Sequence, residues 1–94
     1  MNYEEFIALE KPSAELSPYL TALWHERHGD WNRAHEIVQD LETQQASLIH
    51  AYLHRVEGDL SNAKYWYAQA NRRAELSLSL AEEWERLARE MLTL

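Results

Sequence analysis

Histidines are the residues of this 94-residue chain best suited to chemistry, and four of its five lie in two segments of similar pattern. His50, His54 and Glu57 stand at i, i+4 and i+7, a single line along a helix. His25 and His28 occupy the matching part of the earlier segment. If the two helices are neighbours, His25, His28, His50, His54 and Glu57 converge, and neutral imidazoles with a carboxylate are ordinary ligands for a divalent transition metal. Two well-known spacings are missing. Ala22 and Ala51 stand where the Glu-x-x-His pairs of di-iron bundles need Glu, and His25-Glu26-Arg27-His28 is one residue short of His-Glu-x-x-His. The competing reading is that His25 and His54 pack and hydrogen-bond within their own units, because they recur at one place in both. Metal binding is therefore the alternative expectation, and no cofactor is the first.

Other chemistry finds less support. The chain has no Cys, which removes thiolate catalysis, disulfides and Cys-ligated metals. No nucleophile stands beside a base in a recognisable motif, and neither glycine opens a phosphate-binding loop. Glu82 and Glu83 are adjacent on a charged helix face, where solvation is the simplest fate. We expect a protein that is not an enzyme.

The formal charge of -7 opposes contact with phosphate backbones, and the only adjacent basic pair is Arg72-Arg73. Nucleic acid is not an expected partner. The first eleven residues carry three Glu and no signal-peptide pattern, and no apolar run is long enough to span a bilayer. A cytoplasmic location away from membranes is the expectation.

Two Gly and two Pro are few for a strand-rich chain, and the four Trp, five Tyr and one Phe give a small domain large buried areas per residue. The fold should be all-α and a single domain over residues 1–94. Phe6, Ile7 and Leu9 predict a short first helix over 3–10, ended ahead of Pro12. Ser17-Pro18 starts a second, which runs to about His28 and stops at Gly29. Asp30 can cap a third over 31–41 through Ala34, Ile37 and Val38. A fourth, lined by Ile49, Leu53 and Val56, stops at Gly58, and Asp59 can cap a fifth lined by Ala63, Trp66, Tyr67 and Ala70. Leu76, Leu80, Trp84, Leu87, Ala88 and Met91 predict a last helix over 74–92, with Glu82–Arg86 and Glu85–Arg89 pairs outside. It should cap the stack within the chain, although docking on a second copy is the other use of such a face.

The helices come in copies. At an offset of 29 residues, Ala22/Ala51, His25/His54, Gly29/Gly58, Asp30/Asp59 and Ala34/Ala63 coincide. The segments GDWNRAHEIVQDL and GDLSNAKYWYAQA resemble the second half of a tetratricopeptide repeat, with Gly58, Asp59, Leu60, Ala63, Tyr67 and Ala70 matching almost position for position. Pro18, Thr21, Ser47 and His50 stand where that family has Trp and Leu, and the family period is about 34. The strings HERHGDW and HAYLHRVEGDLSNAKYWY are also similar to those of a group of uncharacterised small bacterial helical proteins, which carry no activity over.

The resemblance implies two stacked helix-turn-helix repeats, over about 18–42 and 45–71, between a short N-terminal and a longer C-terminal helix. It also implies a concave surface on the first helix of each hairpin. Tyr19, Leu23, Glu26, Leu48, Tyr52 and Arg55 would line that groove and take a protein or peptide partner, Leu23 and Tyr52 as apolar anchors. The expected function is an interaction module. A metal-binding bundle and a structural homodimer subunit are the alternatives.

Overall fold

A side-chain oxygen opens every helix of the protein. In the computed structural model, which describes all residues 1–94, Asn2, Ser17, Asp30, Thr43, Asp59 and Ser79 each accept from the backbone N–H three residues on. Each such cap contributes roughly 1 kcal/mol to its helix. The helices they open are α1 (Tyr3–Ile7), α2 (Pro18–Arg27), α3 (Trp31–Gln39), α4 (Gln44–Val56), α5 (Leu60–Gln69) and α6 (Leu80–Leu92), with no strand. Gly29 and Gly58 both stop their helices at φ +86°, in the left-handed region that residues with a Cβ enter only at a cost. The chain then closes each turn identically: Asp30 N–H donates to His25 O at 2.8 Å, and Asp59 N–H to His54 O at 2.9 Å.

These turns set α2 against α3 and α4 against α5, and α3 packs on α4. The seams are made of alanine. Ala22, Ala34, Ala46, Ala51, Ala63, Ala70 and Ala88 are all fully buried, so the backbones approach closely around Leu23, Val38, Ile49 and Leu53.

The last helix packs on α2 and α4 of its own chain. Trp84, Leu87, Ala88 and Met91 are buried there, and Trp84 donates its indole N–H to Leu23 O at 3.1 Å. Phe6 of α1 stacks on Trp84 with 5.9 Å between ring centres. The apolar face of α6 is thus consumed inside one chain.

Two boundaries differ from those expected. The first helix ends at Ile7, and α6 begins at Leu80, because Ser79 and Glu82 form a reciprocal capping box there. Ahead of it, Arg55 donates to the carbonyls of Leu76 and Leu78 and holds residues 74–79 as an irregular strap. Leu76 and Leu80 are consequently exposed, and Arg86 pairs with Glu75 of the strap at 2.7 Å instead of with Glu82. The Glu85–Arg89 pair forms at 2.8 Å. No helix is long and apolar enough to cross a membrane.

Candidate metal centre

The seam between α3 and α4 brings together His35, His50 and His54. Asp30 caps α3 and fixes its start, so Ala34 faces the seam and His35 sits at its edge, while His50 and His54 lie one turn apart on α4. His50 and His54 are buried, and His35 is half-buried. Each offers a ring nitrogen, and the three nitrogens lie within 4.8 Å of one another. His35 Nε2 and His50 Nε2 face each other at 3.0 Å. Nitrogens bound to one tetrahedral zinc stand about 3.4 Å apart, given bonds of 2.0–2.1 Å, so closing this triad on an ion requires ring shifts on the order of 1 Å.

Tryptophans hold the rings in place. Trp31 lies parallel to His35 at 4.9 Å and is anchored by its N–H on Leu53 O at 2.7 Å. Trp66 lies parallel to His50 at 4.0 Å. On His54, Nδ1 meets the Glu57 carboxylate at 2.6 Å, and Asn62 Nδ2 stands 3.3 Å from Nε2. A carboxylate only accepts, so Nδ1 carries the hydrogen, and the Nε2 lone pair accepts from Asn62 Nδ2, a contact that an ion at Nε2 must displace. A carboxylate behind an imidazole is the usual means of fixing a metal ligand's tautomer and raising its basicity. Facing nitrogens at 3.0 Å share one hydrogen, so an ion bound by both requires the donor ring to move its hydrogen to Nδ1, a change of tautomer with no net release of a proton.

Burial sets the charge state. It pushes His50 down to about 4, helped by His35 and His54 nearby. His35 is lowered by burial first and by His54 second, against an opposing pull from Glu57. Both are neutral near pH 7, the form that ligates.

The expected metal set is corrected in its membership. His50 and His54 stay, with Glu57 behind His54, but His25 and His28 do not join them. His28 lies exposed at the end of α2, stacked on Trp24 at 3.8 Å with Nδ1 2.8 Å from Trp24 O, and His25 rests edge-on against the same Trp24. The helix that meets α4 at this level is α3, so the partner is His35, the one histidine the periodic comparison passed over. The sequence offers one signal for it: His35 follows Ala34, which recurs as Ala63 at the offset of 29 residues. A further grouping of His54 with Glu57 and Asp59 lies toward solvent, where the Asp59 carboxylate already caps α5 at Asn62 N.

The expected groove is also corrected, because α6 fills it. Leu23, Leu48 and Tyr52 are core residues at 0, 6 and 3% exposure. Arg55 is taken up by Glu83 at 2.7 Å and by the strap carbonyls. The Tyr52 hydroxyl stands 3.4 Å from both Glu26 Oε1 and Leu80 O, and burial raises the Glu26 carboxyl above its usual range. Tyr19 is half-buried, with its hydroxyl 2.9 Å from Thr43 Oγ1. Buried side chains cannot anchor a partner, so these six form no open groove. Comparison with protein-family models, with curated proteins and with solved structures gave no match.

Proposed function

We propose that the protein binds a divalent transition-metal ion through His35, His50 and His54, with Glu57 orienting His54. The observation that carries this reading is the meeting of three imidazole nitrogens within 4.8 Å across the α3–α4 seam, two of them face to face at 3.0 Å. Three imidazoles suit zinc, copper or nickel and discriminate against magnesium and calcium, which take oxygen ligands. Three protein ligands leave one position of a tetrahedral ion for water or another small ligand. The proposal is one of binding, and no reaction is assigned.

The test is a zinc titration of untagged protein after chelator treatment, followed by calorimetry and elemental analysis. One ion per chain is expected, with binding lost in His35→Ala and retained in His25→Ala. Absence of stoichiometric zinc, copper and nickel binding, or equal binding by His35→Ala, removes the reading.

We also infer that the two Gly-Asp hairpins are copies of one tetratricopeptide-like unit. The shared φ of the two glycines and the matching Asp30–His25 and Asp59–His54 backbone bonds support this. In such a unit the repeated His carbonyl closes the turn. The His25 and His54 rings are then free to differ, one resting on Trp24 and the other turned into the metal cluster.

A further inference from the structure

Three of the four tryptophans settle their indole N–H on a backbone carbonyl. Trp24 donates to Leu9 O, Trp31 to Leu53 O and Trp84 to Leu23 O. Trp66 is the exception and donates to no protein atom, while no buried side-chain polar atom of the chain lacks a partner. Its N–H is therefore open to solvent, although the ring is half-buried and one face lies on His50 at 4.0 Å. Trp66 lines an open cleft of about 600 Å³, walled by the end of α3, the α3–α4 turn, the first turns of α4 and the end of α5.

Glu42 is the one charged side chain among the nine residues of this cleft. No Lys or Arg is present to hold an anion. The remaining polar groups are neutral, and Gln39, Ser47, Gln69 and Asn71 keep their side-chain donors and acceptors free of other protein atoms. The cleft is also built to keep its shape. Gln44 donates its amide N–H to Ala70 O, which ties the start of α4 to the end of α5 across it. Asn71 is held at φ +56°, and the next N–H, of Arg72, donates to Tyr67 O at 2.9 Å, so the Asn71 amide stands on a fixed backbone.

An amide both donates and accepts, and so does a hydroxyl. Free amides beside an indole whose N–H is also free are matched by a molecule with hydroxyls around a C–H skeleton and no charge. We propose that this cleft binds a neutral oligosaccharide, with hydroxyls on Gln69, Asn71 and the Trp66 N–H and a C–H edge of one sugar ring against the open part of the indole. The volume falls inside the ordinary range for ligand sites and suits a short oligosaccharide. An ionised ligand would lose its hydration here without meeting a cation. Trp66 adjoins the histidine cluster through His50, but the site itself uses no metal.

The experiment is a titration of metal-free, isotope-labelled protein with maltotriose, cellotriose and triacetylchitotriose, following the four indole N–H resonances. At least one of these should shift the Trp66 resonance saturably while those of Trp24, Trp31 and Trp84, bonded inside the protein, stay in place. Asn71→Gly removes the amide at a φ that suits glycine and so keeps the fold, which its spectrum verifies. That variant and Gln69→Ala, at another exposed position, should each weaken binding about fivefold, the scale of one neutral hydrogen bond. The proposal is overturned if none of the three saccharides saturates by about 20 mM, beyond the weakest specific binding. It is equally overturned if all four indole resonances move together, or if both variants bind unchanged. Binding as tight by trigalacturonate, a charged trisaccharide, or by a blocked tetraglycine, which has amides and no hydroxyls, also overturns it.

Discussion

Arg55 on α4 and Glu83 on α6 form an ion pair at 2.7 Å with both side chains only 11% exposed. Each has further partners, since Glu83 also accepts from Tyr67 and Arg55 also donates to the strap carbonyls of Leu76 and Leu78. This pair joins α4, α5, the strap and α6 at one point. It explains why the strap is not the first turn of α6.

Removing one partner should be costly. Glu83→Ala leaves the Arg55 charge buried without a counterion, and a loss of about 3–5 kcal/mol in unfolding free energy is expected from urea denaturation. Replacing both, as Arg55→Met with Glu83→Leu, should recover most of that loss because no buried charge remains. A double variant as unstable as the single one would show that the pair matters through something other than charge.

Acid should destabilise the fold through His50. Its folded-state value is about 4 against an ordinary 6.5, so between those limits the unfolded chain binds the extra proton and the folded chain does not. Stability is therefore present above about pH 6.5 and falls as pH drops toward 4, by on the order of 2 kcal/mol. His35, lowered in the same direction, adds to the slope, and Glu57 opposes it. Urea midpoints at pH 7.0, 5.5 and 4.5 measure this, with His50→Gln expected to flatten the slope against the shared background of carboxylate protonation. An unchanged slope in His50→Gln refutes the assignment.

Zinc should stabilise what it binds. At a hundredfold excess over Kd, the ion adds about 2.7 kcal/mol to the folded state and raises Tm by roughly 10–20 °C in a domain this small. His35→Ala should lose the shift while its metal-free stability falls only by the value of the His35–His50 hydrogen bond, about 1 kcal/mol or roughly 4–8 °C in Tm. Differential scanning calorimetry with and without zinc reads both quantities.

Gly58→Ala should cost about 1–2 kcal/mol, although no atom lies within 4 Å of the added Cβ. The cost comes from φ +86° alone. Gly58→Asn, whose side chain tolerates the left-handed region, should cost less. Chemical denaturation of the two variants tests the order, and equal midpoints would mean that the turn relaxes.

The helices were legible because their causes are local. Ser17-Pro18, Asp30 and Asp59 start helices where their side chains can reach exposed N–H groups, and Gly29 and Gly58 end them by admitting a conformation that other residues resist. The start of α6 was misplaced because periodicity continued through Leu76. The capping box at Ser79 and the reach of Arg55 across 21 residues to Leu76 O decided otherwise. His50 and His54 were legible as a line on one helix. His35 was not, since its distance from His50 depends on how α3 packs against α4.

By itself, then, the sequence determined the helical class and the two Gly-Asp turns, both of which follow from backbone preference and spacing along one chain. Only the tertiary structure decided which faces meet. It laid α6 against α2 and α4, turning Leu23, Leu48 and Tyr52 from expected anchors into core. It also set His35 beside His50. Both outcomes rest on burial, which sums over helices far apart in the chain and places apolar faces together before any single motif has a say.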